Sequence, residues 1–199
     1  MLRILDLGCG TGDSWKKMSL SAENWHIIGI DLSMPSLQLA RAKNTAQGWV
    51  YLCARGERIP LSDAAVDGIF CNVALPYMHI PQTLAELHRV LVPSGWFKAS
   101  LHSPGFTWRE LRRSFPKPRA SLFRLFVLAN GAVLHCLGRI LIIKDVAESC
   151  QTKRGMRRAL RKAGFEHIKF RREGERFFVE AYRDRSVHLA GPRRFPRAA

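Results

Sequence analysis

Acidic side chains are scarce in this chain, and several common signatures are missing. Among 199 residues there are 16 Asp and Glu against 32 Lys and Arg, a formal net charge of +16. Cysteine occurs five times, at Cys9, Cys53, Cys71, Cys136 and Cys150, with no CxxC pair and no metal-ligand spacing. An odd, unpaired set excludes a disulfide framework and a thiolate metal site, so no metal is expected and the thiols read as reduced, in a cytoplasmic protein. The opening MLRILDLG has too short an apolar run before its glycine turns to serve as a secretory signal. In the most apolar region, Ser121 to Ile143, the longest uncharged stretch is Leu125 to Gly138, fourteen residues. Crossing a bilayer takes about twenty, so no transmembrane segment is expected.

What is present is most informative at Ile4 to Gly12, ILDLGCGTG: an apolar strand, a carboxylate at Asp6, and glycines at Gly8, Gly10 and Gly12. Glycine tolerates positive φ and has no Cβ to collide with a ligand, so such a turn lets backbone approach a nucleotide cofactor. A dinucleotide fingerprint would place its third glycine where Asp13 stands, and Asp6 would repel a pyrophosphate. No Lys followed by Ser or Thr closes the loop, which excludes a P-loop. S-adenosylmethionine fits better, because its sulfonium and ammonium welcome a carboxylate and it carries no phosphate. The plain alternative is a tight strand-to-helix turn without a ligand. A second buried strand, WHIIGID, ends at Asp31, nineteen positions after Gly12. That separation suits a carboxylate accepting from both ribose hydroxyls, and is compatible with a helix N-cap role before the segment beginning at Ser33.

With these pieces the chain resembles the class I S-adenosylmethionine-dependent methyltransferases, in particular the small-molecule and quinone-biosynthesis subgroup with a type 11 methyltransferase domain. The matching segments are ILDLGCGTG, IIGIDLSMPSLQLARAK, IPLSDAAVDGIFCNVALPYM, AELHRVLVPSGWFKASLHS and GMRRALRKAGF, in the family's order. The resemblance implies that Asp6 and the amides from Gly8 through Cys9 and Gly10 to Gly12 hold the amino-acid part of the cofactor. It implies further that Asp31 binds ribose, Leu32 packs on adenine, and Asn72 and Val73 contact the methionine portion. Two departures stand out. Arg55 occupies the place where relatives commonly have an Asp for the adenine amino group, leaving Glu57 or the Gly56 backbone to substitute. The family's N-terminal helix has no counterpart before the first strand, so either the chain is truncated or a later insertion covers the site.

Strand patterns at 3–7, 27–31, 50–53, 66–72 and 96–102 alternate with helical patterns at 35–47 and 82–91, which requires a parallel sheet covered on both faces. A helix at 152–163, capped by Thr152 and stopped at Gly164, precedes a hairpin of 166–172 and 176–183. The expected α/β fold is a Rossmann-like, doubly wound, mostly parallel seven-stranded sheet with one antiparallel strand, the closing pair being implied by the resemblance. Residues 1–103 form its cofactor-binding core, 104–151 a helical insertion after the fifth strand, 152–184 the closing helix and hairpin, and 185–199 a mobile basic tail. The insertion is expected to cover the substrate cleft, with an apolar helix lying at a membrane interface as the alternative. Trp15, Trp25, Trp49 and Trp96 are expected in the core.

Charge is unevenly placed: residues 1–102 hold nine Lys and Arg against eight Asp and Glu, whereas 103–199 hold twenty-three against eight. The basic half favours an anionic small molecule, a lipid surface or RNA, unless it is simply a solvated face. Methyl transfer from a sulfonium needs mainly an aligned, dehydrated nucleophile, so a dedicated base is optional. His102, at the end of the fifth strand, leads the base candidates, followed by Tyr77 and His79; Glu148 and Gln151 could point inward from the insertion. The expected function is O- or C-methylation of a small-molecule or lipid-like acceptor. The alternatives are an RNA methyltransferase, disfavoured by CNVALPY at the fourth strand's end, and a non-catalytic binding protein.

Overall fold

A computed structural model describes residues 1–13, 25–44, 49–143, 145–174 and 176–184. Trp15, Lys144, the hairpin residue Glu175, the end of the first expected helix and the 185–199 tail lie outside the described residues.

Strand β1 (Leu2–Leu7) buries four consecutive residues, Ile4 to Leu7, as a central strand covered on both faces must. It pairs in parallel with β2 (Trp25–Asp31) on one side and β4 (Val66–Asn72) on the other. β3 (Trp49–Cys53) lies beyond β2, and β5 (Leu91–His102) runs parallel to β4. The closing hairpin, β6 (Phe165–Glu173) and β7 (Arg176–Arg183), adds β7 antiparallel to β5. The sheet order is β3-β2-β1-β4-β5-β7-β6. This is the expected seven-stranded arrangement, and strand order reverses between β1 and β4. That junction is where open α/β sheets form a ligand crevice.

Helices cover both faces. In α1 (Met34–Lys43), Ser33 is the N-cap, accepting from the Ser36 amide, and Pro35 sits in the first turn, where its missing N–H costs nothing. Helix α2 (Ile80–Val90) buries Ile80, Thr83, Leu84, Leu87 and Val90, a single stripe at helical spacing that packs on the sheet. Its last turn is anchored by Arg89, which bonds Glu86, Asp63 and the carbonyls of Ile59 and Leu61. Helix α5 (Lys153–Lys162) is capped by Thr152 and stops before Gly164, whose φ is +93°. The largest cluster, including Leu5, Leu7, Ile69, Phe97, Leu101 and Phe165, is continuous across the sheet under α2 and α5.

The larger differences from the sequence reading lie in β5 and in the insertion that follows it. β5 starts at Leu91 rather than Trp96, because the Pro93–Gly95 segment stays in the strand around an irregularity at Ser94, where φ is +62°. The insertion contains two helices, α3 (Pro104–Ser114) and α4 (Pro118–Leu137). α4 is twenty residues long and apolar enough to cross a membrane by length and composition. The fourteen-residue limit set by uncharged sequence was too strict, since Arg119 and Arg124 lie within the helix. Trp96 is 7% exposed and Trp25 and Trp49 pack beside it, as expected for core aromatics.

Candidate functional site

The crevice begins at the turn after β1. Gly8, at φ +71°, donates its amide to the Ile30 carbonyl at 2.7 Å, which welds the turn to the end of β2. A Cβ on Gly8 would lie 2.1 Å from that of Ala74, so only glycine fits there. At Gly10, φ +52°, a Cβ would meet no atom of the described residues within 4 Å. The Asp31 carboxylate closes this arch, Oδ2 accepting from the Gly10 amide at 2.9 Å and Oδ1 from the Ser33 amide at 2.8 Å. A carboxylate offers about four acceptor positions, so two backbone bonds leave capacity for two hydroxyl donors.

A cleft of about 490 Å³ opens beside the arch. Gly8, Asp31, Leu32, Gly56, Glu57, Asn72, Val73, Tyr77 and His79 all border it, brought together from the ends of β1, β2, β3 and β4. Asp6, Cys9, Gly10, Gly12 and His102 do not line it. Asp6 is 1% exposed beneath the turn. Its charge, after the larger effect of burial, helps push the Cys9 thiol up to about 12, which keeps that sulfur protonated. Cys71 is likewise pushed to about 12 by burial, which keeps its thiol protonated.

Several residues have structural duties that sequence could not show. Glu57 Oε1 accepts from the His79 amide at 2.7 Å, so this carboxylate pins the turn before α2. His79 Nδ1 in turn accepts from the Gln82 amide as the α2 N-cap. That bond commits Nδ1 to capping α2. Asn72 Oδ1 accepts from Ser100 Oγ at 2.6 Å, and the same hydroxyl accepts from the Val73 amide at 3.0 Å. These bonds hold Val73 at φ +59°, a strained conformation for a β-branched residue, at the lip of the cleft.

The acceptor end is built by the insertion. Tyr77 lines the cleft and meets His102 edge-on at 6.0 Å, while Phe106 of α3 stacks on the other side of the imidazole at 4.4 Å. His102 is 8% exposed, with its pKa lowered by burial first and then by Arg176 and Arg124, against an opposing pull from Glu110. It is therefore neutral, but it sits behind Tyr77 rather than on the cleft wall, because Phe106 folds over it. Tyr77 has its phenol pKa raised by burial and by Glu148, so it remains a hydrogen-bond donor. Glu148 pairs with Arg124 at 3.1 Å, and its carboxyl is raised by burial more than Arg124 lowers it. Gln151 is fully buried and accepts from the His102 amide, a purely structural bond. Sequence reasoning missed Met78, Ile142, Asp145 and Ala147, which also line the cleft. The last three come from an irregular segment with no periodicity to betray its position.

A model of the Methyltransferase domain family matches residues 5–99. The chain is 32% identical over 165 residues to a malonyl-[acyl-carrier protein] O-methyltransferase of Erwinia pyrifoliae, covering 78% of this chain and 62% of that protein. It thus spans less than two thirds of that relative's length. A SAM-dependent methyltransferase structure from Aquifex aeolicus superposes with a TM-score of 0.63 at 19% identity, covering 91% of this chain and 81% of that one. One from Mesorhizobium loti gives 0.61 at 22% identity, covering 92% and 91%. Sheet order, glycine turn, terminal carboxylate and these likenesses agree: residues 5–99 match the Methyltransferase domain family, and the sheet has the Rossmann-like fold of S-adenosylmethionine-dependent methyltransferases.

Proposed function

We propose that this chain binds S-adenosylmethionine in the cleft at the β1–β4 junction and methylates oxygen or carbon of a small-molecule or lipid-like, anionic acceptor. The observation that carries the reading is the arch of Gly8, Gly10 and Asp31 beside a cleft of about 490 Å³. The residues fit the cofactor: the turn has no room for a Cβ on its inner side, the Asp31 carboxylate borders the cleft, and Arg55, which stands where relatives commonly have an Asp, lines it beside Gly56 and Glu57. Asp31 would take the ribose hydroxyls, Leu32 would face adenine, and Asn72 with the Val73 backbone would flank the methionine portion. Asp6 would favour the positive end of the cofactor through its buried charge. When bound, the cofactor supplies a methyl group on a positively charged sulfur.

The chain's own residues would then orient the acceptor and exclude water. Ile142, Ala147 and Met78 provide apolar wall, and Tyr77 and His79 supply polar groups at the rim. An acceptor already ionised, such as a carboxylate, needs no proton removed. For a hydroxyl acceptor the neutral His102 would have to be reached past Tyr77. Five free cysteines support a reducing, cytoplasmic setting for this chemistry.

Calorimetry with S-adenosylmethionine followed by tritiated-methyl transfer into host extract, fractionated into small-molecule, lipid, RNA and protein pools, tests the reading. Micromolar donor binding with label in the first two pools is expected. Absence of donor binding would leave a non-catalytic binding protein, and label confined to RNA would replace the acceptor class.

A further inference from the structure

Helix α4 has two unlike faces. The inner one is locked into the domain: Val127, Asn130, Gly131 and Leu134 are buried, and a Cβ on Gly131 would lie 2.3 Å from Cys150 Sγ. Asn130 donates to the carbonyls of Leu141 and Glu148 and accepts from the Leu141 amide, Arg124 pairs with Glu148, and His135 bonds Thr152 at 2.7 Å. A helix stitched in this way along its length cannot cross a bilayer without losing all of these bonds.

The outer face is Leu122, Leu125, Ala129, Ala132 and Cys136, spaced as one stripe along about four turns and exposed throughout. Leu122 is 70% exposed, Phe115 in the α3–α4 connection 79% and Trp108 of α3 56%. Residues 103–143 contain seven basic side chains (Arg109, Arg112, Arg113, Lys117, Arg119, Arg124 and Arg139) and a single acidic one, Glu110. Arg112, Lys117 and Arg119 are exposed on either side of Phe115.

We propose that the α3–α4 tip and the outer stripe of α4 dock on an anionic lipid bilayer, with Phe115, Leu122 and Trp108 in the interfacial layer and Arg112, Lys117 and Arg119 against the headgroups. An apolar ridge flanked by cations matches the two layers of such a surface, acyl chains below and negative charge above. A second copy of the chain is a poor cover, because an isologous contact would set the same basic flank against itself. This docking goes beyond the methyl-transfer reading and does not require it.

Cosedimentation of the full chain, without donor or acceptor, with vesicles of phosphatidylcholine alone or of equal parts phosphatidylcholine and phosphatidylglycerol tests the proposal. Binding is expected on the mixed vesicles only, weakening as salt is raised. Phe115→Glu with Leu122→Glu should reduce it by about tenfold or more, and Lys117→Ala with Arg119→Ala by on the order of thirtyfold. All four side chains are exposed, so the unfolding midpoint should not move, and calorimetric donor binding by the same preparations reports separately on the cleft. No sedimentation of wild type, or equal sedimentation of both double variants, overturns the docking. So does a dimer that Phe115→Glu with Leu122→Glu dissociates in the absence of vesicle binding.

Discussion

Asp31 combines two roles that pull on the same carboxylate: it fixes the glycine turn through the Gly10 amide and would hold ribose. Asp31→Ala should weaken S-adenosylmethionine binding by ~1–3 kcal/mol, the scale of lost charge-assisted bonds, as read by calorimetry; unchanged affinity would remove Asp31 from the site. His102 tests the opposite kind of residue. If its imidazole takes a proton from the acceptor, His102→Ala should lower kcat and leave donor affinity intact, whereas wild-type turnover would show that the acceptor arrives ionised. The glycines and Asp31 were legible in the sequence because their geometry is local: turn, strand end and spacing are written in adjacent letters. The seclusion of His102 was not, since it depends on Phe106 and Tyr77 reaching it from separate elements. The positive φ of Val73 was equally hidden, because Ser100 on the neighbouring strand enforces it.

Among the elements, the segment returning from α4 to α5 matters most for the cleft, although it has almost no regular structure. Ile142, Asp145 and Ala147 reach the cleft from it, and Asn130 is the clamp that holds it to α4. Asn130 is fully buried, so Asn130→Ala would strand the Leu141 amide and two carbonyls. A cost of about 2–3 kcal/mol is expected for such unpaired groups, measured by urea unfolding. Limited proteolysis should then cut first within 139–148, and an unaltered cleavage pattern would show that other contacts hold the segment. The sequence placed strands and helices of the sheet well, since period and burial agree there. It left this segment unread because one buried amide, not a repeating pattern, determines its path.

At the scale of the whole molecule, a net charge of +16 sits on a fold in which buried His102 and half-buried His88 resist protonation. His88 is lowered from 6.5 by burial first and then by Arg183, and His102 by burial, Arg176 and Arg124. A depressed folded pKa means that below 6.5 the unfolded chain takes up protons the folded chain refuses. The stability these two groups contribute is therefore present above that value and lost as pH falls through their folded values. Glu86, lowered chiefly by its bond to Arg89, adds a loss of the same sign at more acidic pH. Glu148, raised by burial, acts in the reverse sense, its contribution being greatest when it is protonated and lost as pH rises through its folded value. Between pH 7.5 and pH 5.5 the imidazoles of the unfolded chain become charged, so the histidine contribution to the urea midpoint should fall over that window. In a His88→Gln, His102→Gln variant the same profile should be distinctly flatter, whatever the variant's absolute stability. A wild-type midpoint that stays level from pH 7.5 to pH 5.5 would show that neither imidazole is held neutral by the fold.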